Sequence, residues 1–265
     1  MLTEKKRDKQ ETIISIRNTL IGGTNFFIAA GPCSIESEEQ IMLCAQAASM
    51  CGAQGLRGGA FKSRTSPYAF QGIGEIGLKL MRKAADAYDL LVISEIMDTA
   101  QIPLLLSYVD ILQVGSRNMH NFSLLKELGK IDRPVLLKRG FAATYQELLF
   151  SAEYILQGGN RDVILCERGI RTFETYTRNT LDLNAIPALK ELTHLPIIVD
   201  PSHGTGKRSL VPALSKASLA VGAHGLIIEI HPNPDKALSD GAQTIDFKIF
   251  EELMQNLRAL QEVLL

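Results

Sequence analysis

Eight short apolar runs recur along the chain, at residues 26–30, 55–61, 90–95, 110–114, 134–138, 162–166, 196–199 and 225–230. Their apolar character is continuous rather than alternating, as in parallel strands covered on both faces. The intervals between them carry helical patterns, clearest at 37–51, 74–88 and 145–157, and a last helix is expected at 247–264. Ser37 stands where a helix cap belongs and Gln40 lies three positions on, the spacing of a capping box. Eight strand-then-helix units in a chain of this length predict a single (β/α)8 barrel, with a doubly wound open sheet as the competitor.

Residues 12–17 and 19–21, followed by Gly22-Gly23, fall outside the series and read as a small hairpin. It is placed to plug the N-terminal end of the barrel. No linker or low-complexity stretch marks a second domain. Residues 1–265 are therefore expected to form one barrel domain, with 1–25 as its N-terminal extension.

Composition narrows the function. Apolar residues make up 46 % of the 265 and charged residues 22 %, with a net charge of −1. No global field attracts nucleic acid or an anionic membrane, so an anionic ligand has to be held by local clusters. The apolar runs are too short to span a bilayer. The N-terminus is charged and lacks the apolar stretch of a secretory signal. Four cysteines without a CxxC pair point to a reducing compartment, so a cytoplasmic protein is expected.

In a barrel the C-terminal ends of the strands converge on one site. Here those ends bring Cys33, Lys62, Arg64, Glu95, Arg117, Lys138, Arg139, Glu167, Arg168, His203, Lys207, Glu229 and His231. Polar strand ends are ordinary; an excess of cations on a chain of net charge −1 is not, and implies an anionic, phosphate-bearing substrate. Asp200-Pro201-Ser202-His203-Gly204-Thr205-Gly206-Lys207-Arg208 directly follows the seventh run. Such a loop could hold a metal through imidazole and an anion through Lys207, or be a solvated turn. Cys33, His203 and Glu229 lie on runs one, seven and eight, which are neighbours once a barrel closes, and Asp240 is within reach. A thiolate, an imidazole and two carboxylates suit one divalent ion such as Mn, Fe, Co or Zn, although a lone Cys at a strand end is also explained by packing. Cys44, Cys51 and Cys166 read as core, His231 as a neighbour of the metal ligands, and Gly58-Gly59 as room for substrate or tight strand packing.

Several segments together resemble one family: Ala30-Gly31-Pro32-Cys33-Ser34-Ile35-Glu36-Ser37, Lys62-Ser63-Arg64-Thr65-Ser66-Pro67-Tyr68-Ala69-Phe70-Gln71-Gly72 and Leu137-Lys138-Arg139-Gly140. Cys166-Glu167-Arg168-Gly169-Ile170-Arg171-Thr172-Phe173-Glu174, the stretch from Asp200 to Arg208, and Glu229-Ile230-His231-Pro232-Asn233-Pro234 continue the match. They resemble the 3-deoxy-D-arabino-heptulosonate 7-phosphate (DAHP) synthases of the short microbial type (type I beta), which are related to 3-deoxy-octulosonate 8-phosphate (KDO8P) synthases. The resemblance implies a barrel that condenses phosphoenolpyruvate with erythrose 4-phosphate, the first step of the shikimate pathway. It implies Cys33, His203, Glu229 and Asp240 as metal ligands, and Arg57, Lys62, Arg117, Lys138 and Arg168 as the phosphoenolpyruvate contacts. Arg64, Thr65 and Ser66 match the segment that binds the phosphate of erythrose 4-phosphate. Lys138 and Glu95 are the candidates to position and deprotonate the water, with Lys62 and His203 also in the catalytic set; Glu95 could instead pair with a neighbouring Arg.

The chain departs from relatives at Ser63, where they usually carry Pro, which would stiffen the turn. Arg64-Thr65-Ser66-Pro67-Tyr68 favours the DAHP side over a KDO8P synthase acting on arabinose 5-phosphate. A non-catalytic sugar-phosphate-binding barrel is the alternative from another class, opposed by the complete ligand set. A homodimer or homotetramer is expected, without feedback inhibition in the chain itself; a separate noncovalent partner such as a chorismate mutase is compatible with this.

Overall fold

The computed structural model describes residues 1–5, 11–62 and 66–264. Two antiparallel strands, β1 (Ile14–Ile16) and β2 (Thr19–Ile21), precede eight parallel ones. These are β3 (Phe27–Gly31), β4 (Gly55–Arg57), β5 (Leu91–Ile96), β6 (Ile111–Val114), β7 (Val135–Lys138), β8 (Val163–Glu167), β9 (Ile197–Val199) and β10 (Gly225–Glu229). They pair in sequence order, and β10 pairs back onto β3, so the sheet closes into the expected barrel and the open sheet is excluded. The helices are α1 (Glu38–Met50), α2 (Glu75–Ala87), α3 (Ile102–Leu106), α4 (Phe122–Leu128), α5 (Tyr145–Gln157), α6 (Ala185–Leu192), α7 (Pro201–Thr205), α8 (Val211–Ala220) and α9 (Phe247–Leu264). α9 turns Phe250, Leu253, Met254 and Leu257 inward, one stripe at helical spacing.

Most strand boundaries differ by one residue from the apolar runs, because a run records burial and not pairing. The run at 55–61 differs more. Gly58 N–H still donates to Ile93 O, but Gly59 N–H turns to Cys33 O at 3.1 Å, so the chain leaves the strand after Arg57. A Cβ on Gly59 would stand 2.7 Å from Lys62 Cδ and 3.0 Å from Cys33 O, so glycine here serves tight packing beside Cys33. Only half of the expected capping box forms on α1. Ser37 Oγ accepts from Gln40 N–H, while the Gln40 side chain accepts from Glu36 N–H and donates to Ser34 O, pinning the loop after β3. The complete capping box is on α5, between Thr144 and Glu147.

The barrel interior explains the site. Its lower layers are apolar: Phe27, Ala29, Leu91, Ile93, Ile111, Leu136, Ile164, Cys166, Ile198 and Ile227 form one cluster, into which Ile14 and Ile21 of the hairpin insert. The hairpin therefore seals the barrel floor, as its position in the sequence predicts. Side chains alternate along a strand, so the residue two positions past an inward one also points inward. Two residues beyond Ile93, Ile111, Leu136, Cys166, Ile198 and Ile227 stand Glu95, Gln113, Lys138, Arg168, Asp200 and Glu229. Gly55, whose Cβ would meet Phe27, Ala29 and Ile93 side chains, leads in the same way to Arg57. One pleat converts an apolar floor into a charged upper layer.

Candidate active site

Above that layer lies a cavity of about 310 Å³. Arg57, Lys62, Arg117, Lys138, Arg168 and Arg178 bring cations to its lining, and Glu95 and Asp240 bring carboxylates. Gln113, Ser66 and Phe141 also line it.

One wall carries the four predicted ligands. Sulfur, imidazole nitrogen and carboxylate oxygens of Cys33, His203, Glu229 and Asp240 all lie within 4.8 Å of one another. His203 Nε2 stands 3.4 Å from Glu229 Oε1 and 3.7 Å from Asp240 Oδ2, and Cys33 Sγ is 3.5 Å from Asp240 Oδ2. Donors held about 2.0–2.3 Å from one ion stand at separations of this size. The cluster fits a metal in chemistry and spacing.

The surroundings prepare these groups. Burial pushes His203 below its ordinary value against the pull of Asp200 and Glu229, which leaves a neutral imidazole able to coordinate. Its Nδ1 pairs with Asp200 Oδ2 at 2.7 Å, directing Nε2 toward the other ligands. Burial would raise Asp240, but His203 and Arg178 outweigh it and hold the carboxyl at about 2. Burial would also raise Glu229; His203 and Arg57 more than reverse this. Arg57 donates to Glu229 Oε1 at 2.7 Å and Gln243 to Glu229 Oε2 at 2.6 Å. Burial pushes the Cys33 thiol up to about 11, with Glu229 adding to the rise and Lys62, 3.1 Å from the sulfur, opposing it. A divalent ion would supply the positive charge that a thiolate there requires.

Asp200 joins this wall to the next. It accepts from Lys138 Nζ, from His203 Nδ1 and from His203 N–H, capping the single turn α7. Burial would raise its carboxyl, yet His203 and Lys138 hold it well below the carboxylate range. With the imidazole neutral, His203 contributes a hydrogen bond and Lys138 the charge.

Residues 8–265 match the model of the DAHP synthetase I family. The chain belongs to that family. A phospho-2-dehydro-3-deoxyheptonate aldolase of Thermotoga maritima is 51 % identical over 99 % of this chain and 78 % of its own length. Its crystal structure superposes with a TM-score of 0.97, covering 99 % of this chain and 77 % of that one. A truncated 3-deoxy-D-arabino-heptulosonate 7-phosphate synthase from the same organism, 48 % identical, gives 0.93 and is covered to 97 %. A 2-dehydro-3-deoxyphosphooctonate aldolase of Koribacter versatilis is more distant, 30 % identical over 93 % of the chain and 95 % of its own length.

Among the residues that the family resemblance singled out, Arg57, Lys62, Ser66, Glu95, Arg117, Lys138, Arg168, His203 and Asp240 line the cavity, while Cys33 and Glu229 sit buried in its wall. Arg64, Thr65 and the unusual Ser63 lie outside the described residues. Other strand-end residues are not brought to the cavity. The pleat that turns Lys138 inward turns Arg139 outward, where it pairs with Glu167 at 2.9 Å and Asp182 at 2.8 Å. Lys207 does not line the cavity; its Nζ lies 3.3 Å from the centre of the Tyr176 ring. His231 makes no hydrogen bond or ion pair with any of the four ligands. It faces Glu36 at 3.4 Å, and Glu36 accepts from Leu238 N–H, bracing the loop that carries Asp240. Glu95 has no ion-pair partner among the described residues, and it packs against Gly115, where a Cβ would stand 2.1 Å from its Oε1.

Sequence reasoning quoted Asp200 at the head of its stretch without giving it a role, and passed over Gln113, Arg178 and Gln243. The first two follow from the two-residue step beyond Ile198 and Ile111. Arg178 bonds both Asp240 and Gln243 from the loop after β8, and no local pattern announces either residue.

Proposed function

We propose that the chain condenses phosphoenolpyruvate with erythrose 4-phosphate and water, giving DAHP and phosphate. The observation that carries this reading is one cavity lined by six cations, whose wall holds four donors spaced to bind a metal, within the DAHP synthetase I family. Phosphoenolpyruvate is a phosphate monoester and a carboxylate on three carbons, so it needs several cations at close quarters. Arg117, Lys138 and Arg168 meet it, with Arg57 and Lys62 completing the surface. Arg64, Thr65 and Ser66 bind the phosphate of the second substrate.

C3 of phosphoenolpyruvate forms a bond to the aldehyde carbon, whose oxygen takes a proton. Water adds at C2, and phosphate then leaves by cleavage of the C2–O bond. Glu95 of β5 and Lys138 of β7, on the two strands that flank β6, both line the cavity; the Lys138 ammonium holds that water and the Glu95 carboxylate takes its proton. Asp200 keeps the Lys138 ammonium positioned. A divalent ion held by Cys33, His203, Glu229 and Asp240, one of Mn, Fe, Co or Zn, supplies Lewis acidity toward the aldehyde or a water.

Phosphate release from phosphoenolpyruvate tests the reading, with erythrose 4-phosphate and arabinose 5-phosphate in turn, in Mn-loaded and chelated protein. Metal-dependent turnover with the four-carbon sugar alone is expected. Turnover with arabinose 5-phosphate would favour the octulosonate reaction named for the Koribacter relative, and turnover that survives chelation would remove the metal from the reaction. We place the enzyme in the cytoplasm as a homodimer or homotetramer; no described helix is long and apolar enough to cross a membrane. Light scattering of the pure protein checks its assembly.

A further inference from the structure

Three guanidinium groups gather about one phenyl ring at the cavity wall: those of Arg117 and Arg168 line the cavity, and that of Arg171, an exposed residue, stands outside its lining. Arg168 lies 4.7 Å from the centre of the Phe141 ring, Arg171 5.0 Å and Arg117 5.5 Å, all within cation–π range. Like charges gathered this closely repel, and a protein ordinarily relieves that with a carboxylate. None of the three has a carboxylate within ion-pair distance among the described residues. The backbone fixes the arrangement, because Arg171 N–H donates to Phe141 O at 2.7 Å and ties the loop after β7 to the loop after β8. Phe141 is only partly buried and belongs to neither barrel core, so packing of the interior does not account for it.

Arg139, two residues earlier, is the internal control. It too stacks on a ring, Tyr145 at 4.6 Å, but Glu167 and Asp182 take its N–H groups. That cation is structural. A carboxylate among Arg117, Arg168 and Arg171 would hold them equally well while cancelling the charge that an anionic substrate needs. A ring attracts guanidinium groups by its quadrupole and leaves their N–H donors and net charge available.

We propose that Phe141 is a positioning residue that holds Arg117, Arg168 and Arg171 as an uncompensated anion clamp, with Arg171 a third arm of the phosphoenolpyruvate site. This rests on the function proposed above. The test compares metal-loaded wild type with Phe141→Leu, Phe141→Tyr and Arg171→Met, by calorimetric titration with phosphoenolpyruvate and by steady-state kinetics. Phe141→Leu is expected to weaken phosphoenolpyruvate binding and raise its KM by about 5- to 30-fold, the size of one or two partly desolvated cation–π contacts. The KM for erythrose 4-phosphate should not change, and kcat should fall by less than the KM rises. Phe141→Tyr should restore binding, and Arg171→Met should weaken phosphoenolpyruvate binding selectively.

Unchanged phosphoenolpyruvate affinity in Phe141→Leu overturns the clamp. So does an equal loss for both substrates accompanied by a lowered melting midpoint, which marks simple packing. Phosphoenolpyruvate affinity unchanged in Arg171→Met removes the third arm. The two readings fail separately: wild type that binds phosphoenolpyruvate without turnover sinks the reaction and leaves the clamp measurable, whereas turnover with unaltered Phe141→Leu binding sinks the clamp alone.

Discussion

The two sides of the barrel mouth solve opposite electrostatic problems. Around β3, β9 and β10, acids and a thiol crowd together, and nearby cations restrain them: Arg57 on Glu229, Arg178 on Asp240 and Lys62 beside Cys33. Around β6 to β8, Arg117 and Arg168 crowd together about a neutral ring, with no ion-pair partner for either among the described residues. The first side is built to receive positive charge and the second to receive negative charge. Each stays short of its counter-charge until its ligand arrives, which is how binding sites commonly differ from structural ion pairs.

The comparison breaks most sharply at the ligands. Cys33→Ser or His203→Ala should abolish stoichiometric metal binding and lower kcat by at least about 10³-fold, if a Lewis acid contributes several kcal/mol. Phosphoenolpyruvate titration should still show binding; its loss together with the metal would mean that the two sides are not separate. Next come two arginines of opposite status. Arg139→Met strands buried Glu167 and should cost about 3–5 kcal/mol of stability in urea unfolding with little change in KM. Arg168→Met should do the reverse, raising the KM for phosphoenolpyruvate about 10²-fold and sparing the unfolding midpoint, since a lost anion contact is worth roughly 2–4 kcal/mol.

Smaller effects sharpen the picture. Gln243→Leu removes the donor to Glu229 Oε2 and should weaken metal affinity about 10- to 100-fold, with kcat recovering at saturating metal. Gly115→Ala is the mildest. Position 115 has an ordinary backbone at φ −69°, so the new methyl acts only by displacing Glu95, and kcat should fall about 10-fold if Glu95 handles the water. An unchanged kcat would take Glu95 out of the chemistry.

Much of the site was legible because strand ends carry it. The barrel follows from eight apolar runs, and Cys33, His203 and Glu229 meet because the first and last runs close on each other. The hairpin that seals the floor was legible too, from an apolar pair of short strands ahead of the first run. Periodicity could also have separated Lys138 from Arg139 and picked out Asp200, had each apolar run been read for its inward face. Gln243, Arg178 and the Glu36–His231 brace were not legible, because loops without a repeat bring them together and only the folded chain sets those distances. Lys207 was misleading for a related reason: it follows His203 closely in sequence, but the turn of α7 and the left-handed Gly206 send it toward Tyr176.

Asp200 gives the two sides a common hinge of charge. One carboxylate serves Lys138 in the anion half and His203 in the metal half. Whatever draws electron density from the imidazole makes its Nδ1–H a stronger donor to Asp200, whereas whatever draws Lys138 toward an anion loosens the other contact on the same oxygen. Under the function proposed above, reciprocity requires that any effect of the metal on phosphoenolpyruvate affinity through this oxygen be matched by an equal effect in return. A single buried oxygen is thus the point at which the two halves of the mouth share a contact.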